Sequence, residues 1–93
     1  MIAERPGQLS PEAAEAVAIG ALSYLAGEPE ALGRFLALSG IGPAMLRAAA
    51  AEPAFLAGVL DFFLGDERLL VAYAESAGIP ATQIAAARRA LGE

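Results

Sequence analysis

Apolar residues recur along this chain at helical spacing, and four glycine-led breaks interrupt them. The breaks are Gly27-Glu28-Pro29, Gly40-Ile41-Gly42-Pro43, Gly65-Asp66-Glu67 and Gly78-Ile79-Pro80. At each, glycine is expected to close one helix in the left-handed conformation. Proline then opens the next, because its missing N–H would be unpaired in a first turn anyway. Asp66 takes the place of proline in the third break. The pattern predicts an all-α fold, a compact orthogonal bundle of five to six short helices.

The first helix is predicted from Ser10 to about residue 26. Ser10 is the N-cap, Pro11 the first helical residue and Glu12 a first-turn carboxylate facing unpaired N–H groups. Val17, Ala18, Ala21, Leu22 and Leu25 form its stripe, and Ala14, Ile19 and Tyr24 make it apolar on most sides, which predicts a central position. A second helix over residues 29 to 39 places Leu32, Phe35, Leu36 and Leu38 around an apolar arc, with Glu30 and Arg34 spaced i, i+4 on the other side, and is expected to lie at the surface. A short third helix, 43 to about 51, carries Met45, Leu46 and Arg47. Pro53 starts a fourth, whose Phe55, Leu56, Val59, Leu60, Phe62, Phe63 and Leu64 supply much of the core. Asp66 caps a fifth to about residue 77 with Leu69, Leu70, Ala72 and Tyr73. Pro80 opens a sixth in which Ile84, Ala87 and Leu91 are spaced for burial. Residues 1 to 9, with Pro6 and Gly7, are predicted to be a loose tail, and residues 10 to 93 one domain. The Gly-Ile-Gly-Pro and Gly-Ile-Pro turns lie 38 residues apart and raise the question of a tandem repeat, but cap chemistry alone produces such a match.

Composition sharpens this picture. The chain of 93 residues is 57% hydrophobic with a mean hydropathy of +0.54, against roughly 45–50% apolar for an ordinary soluble domain. Alanine makes up most of the surplus and favours helices that approach closely over a thick core. Apolar surface left over on so small a domain points to a protein partner or self-association. The net charge is −5, the pI is near 4.6, and all six basic residues are arginine. That balance repels phosphate backbones and anionic lipid, so nucleic acid is disfavoured as a partner. There is no Cys and no His, which removes zinc sites, thiolate nucleophiles and Ser-His triads. No cofactor is expected. The first residues lack the pattern of a signal peptide, and the longest apolar stretch, residues 16 to 27, falls short of the ~20 residues a membrane span needs. The cytoplasm is the simplest location.

Few residues suggest chemistry. Leu38-Ser39-Gly40-Ile41-Gly42-Pro43-Ala44 looks like the hairpin of helix-hairpin-helix DNA-binding modules, where backbone N–H groups hold a phosphate. Here Ala44 and Met45 follow the turn and the nearest bases are Arg34 and Arg47, so a plain inter-helix turn is the better reading. Asp61, Asp66 and Glu67 form one acidic cluster that could serve acid-base work or a hard cation. Capping by Asp66 and Glu67 accounts for it more simply. Asp61 shares a face with Ala54, Ala57 and Gly58, a strip suited to close helix contact or solvent. Arg47 or Arg68 is expected to pair with one of these carboxylates and tie helices three and five together. Arg88-Arg89 suits the end of the sixth helix dipole. No serine has an activating base, and Tyr24 and Tyr73 read as core residues with their hydroxyls at the rim.

Several short motifs in order resemble a small alphaproteobacterial family of uncharacterised all-helical proteins. They are Arg34-Phe35-Leu36, Ser39-Gly40-Ile41 with Leu46-Arg47, Pro53-Ala54-Phe55-Leu56 through Val59-Leu60-Asp61-Phe62, Asp66-Glu67 with Leu69-Leu70, and Gly78-Ile79-Pro80 before Ala87. The match spans nearly all of residues 12 to 91. It implies a stand-alone helical protein of a bacterial cytoplasm and supplies no activity and no functional residues. The expected function is therefore a protein-interaction module or homo-oligomer without catalytic, cofactor-binding or metal-binding residues. The alternative is a nucleic-acid or regulatory binding domain using the Gly40-Ile41-Gly42-Pro43 turn.

Overall fold

A computed structural model describes residues 9 to 92. Among them run α1 (Pro11–Ala26), α2 (Pro29–Ser39), a single 3-10 turn (Pro43–Met45), α3 (Leu46–Ala49), α4 (Pro53–Leu64), α5 (Glu67–Ala77) and α6 (Ala81–Ala90). The described residues contain no strand. The expected tail lies outside the described residues except for Leu9, which is half-buried against the core.

α1 is central, as its all-round apolarity predicts: it packs against α2, α4, α5 and α6. Its start is built as the sequence dictates, with the Ala13 N–H donating to Ser10 Oγ at 3.1 Å. Ala14, Ala18 and Ala21 are fully buried on it, and Val59, Leu60, Phe63 and Ile84 of α4 and α6 fill the space above them. Small residues on one helix facing large ones on two others let three axes approach closely without voids. α5 closes the remaining side through Leu69, Tyr73 and Ala74.

The breaks are of two kinds, which departs from the uniform expectation. Gly40 and Gly78 do adopt left-handed φ, 77° and 71°, whereas Gly27 and Gly65 stay at φ −89° and −87°. In the second pair the following helix starts two residues on, and a tight right-handed turn suffices. At Gly78 the Ile79 N–H returns to the Ala74 carbonyl at 3.0 Å and Ile79 packs back onto the core. That extra residue leaves Pro80 extended, as the N-cap of α6 and not its first residue.

Three further expectations need correction. The third helix is shorter than expected, a 3-10 turn and one α-turn with no buried residue. Its run Ala48 to Ala51 offers no large side chain to anchor, and Pro53 holds Glu52 extended. Leu38, placed on the apolar arc of α2, is 77% exposed, because α2 lies at the surface and buries only Ala31 and Phe35. The Tyr73 hydroxyl is not at the rim: it is buried and donates to the Val17 carbonyl of α1 at 2.8 Å.

Candidate functional site

All six aromatic residues join in one chain of rings. Tyr73, Tyr24 and Phe63 meet at centroid separations of 5.4 to 6.4 Å, Phe63 meets Phe62 at 6.4 Å, and Phe35 meets Phe62 and Phe55 at 5.4 and 5.6 Å. The buried end is fixed by the Tyr73 hydrogen bond. The other end reaches the surface between α2 and α4, where Phe35 is the side chain that bridges the two helices.

Beside this bridge lies an open apolar groove of about 450 Å³. Phe35, Leu38 and Ser39 of α2 form one wall; Ala54, Phe55, Gly58, Asp61 and Phe62 of α4 form the other. The segment from Gly40 to Glu52 links the ends of the two walls. The groove exists because small residues face it: a Cβ built on Gly58 would meet nothing within 4 Å. Ala54, Gly58 and Asp61 of the strip expected to suit close helix contact or solvent belong to the α4 wall of this groove, while Ala57 is turned into the core.

The acidic cluster is divided between two ion pairs. Asp66 caps α5 by accepting from the Leu69 N–H at 3.1 Å and pairs with Arg34 of α2 at 3.3 Å. The Leu69 amide, and after it the Arg34 guanidinium, hold the Asp66 carboxyl below its ordinary 3.8. Arg34 also lies over the Phe62 ring at 5.3 Å. Asp61 accepts from Arg88 Nε of α6 at 2.7 Å, and Arg88 also donates to the Gly92 carbonyl. The pairing partners are thus Arg34 and Arg88, not Arg47 or Arg68, and Arg88 does more than complement a helix end. Among the described residues no three carboxylates stand close enough to hold one metal ion.

A second, polar cleft of about 500 Å³ lies between the α1–α2 turn and α5, with Tyr24, Glu28, Arg34 and Arg68 on its walls. Its charges are mixed and its carboxylates outnumber its cations, so no single ligand charge is selected. The Gly40 to Pro43 turn runs into a three-residue 3-10 turn; the Gly40 N–H is spent on the Leu36 carbonyl and the Met45 N–H on the Gly42 carbonyl. None of the cross-helix pairing was legible as spacing, because the pairs join residues 27, 32 and 56 positions apart.

These features define a small all-helical domain with an open apolar groove between α2 and α4. The chain belongs to the DUF3572 family, described as a protein of unknown function, whose profile matches residues 11–93. No curated protein and no solved structure matches it. No helix among the described residues is long and apolar enough to cross a membrane.

Proposed function

We propose that this protein is a non-enzymatic interaction module of a bacterial cytoplasm, and that the α2–α4 groove is where it receives another polypeptide. The observation that carries the reading is the groove itself, lined by three phenylalanines and rimmed by a leucine that is 77% exposed. Exposed apolar surface of this kind is costly for a solitary soluble domain and is retained where a partner covers it. The carboxylates and arginines nearest to it are committed to holding helices together, which leaves shape and apolar contact as its means of recognition.

A photo-crosslinking residue at the exposed Ala54, introduced in the cell that makes the protein, tests this. One discrete polypeptide adduct, to another protein or to a second copy, is the expected result. Solvent-quenched product or a diffuse smear overturns the reading.

A further inference from the structure

We propose that α2, with the linker that follows it, is a strap that detaches from an otherwise complete four-helix core, and that Phe35 is its catch. Among the described residues, every buried side chain but two lies on α1, α4, α5 or α6; residues 27 to 52 supply only Ala31 and Phe35. Those four helices pack on one another directly, α1 on α4, α5 and α6, α4 on α5 and α6, and α5 on α6. None of these contacts passes through α2, so its departure uncovers an edge of the core and leaves the centre assembled.

The attachments of the strap are few. α2 packs chiefly on α1, and its Leu32 and Leu36 remain partly exposed there. Phe35 alone is driven home, edge-on against Phe55 and Phe62 of α4. Arg34 adds its ion pair with Asp66 and its place over Phe62, but its side chain is 55% exposed, where water screens the charge. The linker buries nothing on either its 3-10 turn or α3. Glu28 and Glu52, the N-caps of α2 and α4, make no side-chain capping bond, whereas Ser10 and Asp66 do. α2 is also weak in itself. It has 11 residues, with Gly33 in its interior facing open space, and a helix that short is marginal in water without packing. Lifting off therefore melts it and frees its amides to exchange with solvent. The same event takes Phe35 away from Phe55 and Phe62, so the strap governs how much apolar surface α4 presents. This equilibrium belongs to the free chain and needs no partner.

Native-state hydrogen exchange of the full chain in increasing urea, below the unfolding transition, tests the proposal. The α2 amides from Gly33 to Gly40 are expected to exchange at least about a hundredfold faster, relative to an unstructured chain, than those of α4 from Val59 to Leu64, and with a smaller dependence on urea. Two substitutions separate the strap from the core. Ile84→Val loosens a fully buried site on α6. It should speed the α4 amides about two- to tenfold and leave the α2 amides unchanged, because the strap opens while the core stays folded. Phe35→Leu loosens the catch and should speed both sets by the same factor, about tenfold, because the strap is open in either event. Equal protection and equal urea dependence in α2 and α4 would overturn the strap, as would α2 amides that speed up with Ile84→Val as much as those of α4. α2 amides indifferent to Phe35→Leu would overturn Phe35 as the catch.

Discussion

Gly20 and Tyr73 should show a reversal of sign when mutated together. The Tyr73 hydroxyl reaches the Val17 carbonyl across the surface of α1, and a Cβ at Gly20 would lie 2.5 Å from that oxygen. The ring has little freedom to retreat, since it is 5% exposed and held by Tyr24 and Phe63. Gly20→Ala therefore costs about 1–3 kcal/mol for overpacking and about 1 kcal/mol for the displaced hydrogen bond. Against this, alanine gains about 0.5–1 kcal/mol over glycine inside a helix. The net is a loss of about 1–3 kcal/mol, or a fall in thermal midpoint on the order of 4–8 °C per kcal/mol for a domain of this size. Tyr73→Phe alone loses about 1 kcal/mol. With the hydroxyl gone, the nearest atom to the new Cβ is the ring carbon that carried it, at 3.6 Å, an ordinary contact. Gly20→Ala added to the Tyr73→Phe variant should then stabilise by about 0.5–1 kcal/mol. Urea unfolding of the four proteins followed by circular dichroism measures the cycle, and the expected coupling is about 2–4 kcal/mol. If Gly20→Ala is equally harmful in both backgrounds, or stabilising in both, the hydroxyl is not what excludes a side chain from position 20.

Two pH effects follow from individual groups. Burial pushes the Tyr73 phenol above its ordinary 10.0, so the folded protein keeps a proton that the unfolded chain releases; stability should be full below pH 10 and decline above it. With no Lys and no Cys to titrate in that range, Tyr73→Phe should flatten the alkaline limb of the urea midpoint against pH, and an unchanged limb would refute the assignment. Asp66, held below 3.8, gives the opposite sign: its contribution is present above 3.8 and is lost as pH falls through the lower folded value. Asp66→Asn keeps an N-cap acceptor and removes the charge, so thermal midpoints should lose part of their slope below pH 3.8, more than in Glu75→Gln, a distant surface control.

The sequence by itself determined the elements. Ser10 and Asp66 accept from N–H groups within one turn, the prolines at 11, 29, 43 and 53 fill first-turn positions where no N–H is needed, and these helical turns start where those residues stand. The central place of α1 and the weight of α4 in the core were legible too, from the number of apolar residues each carries, although Ile19 of α1 stays 47% exposed. What faces a helix was not. The groove lies where Phe35 of α2 meets Phe55 and Phe62 of α4 and Gly58 leaves open space, a juxtaposition of helices that no local pattern encodes. The same holds for Arg34 on Asp66, Arg88 on Asp61 and Tyr73 on Val17. Capping is settled within three or four residues of chain, whereas cross-helix contacts depend on packing angles set by every side chain in the core at once.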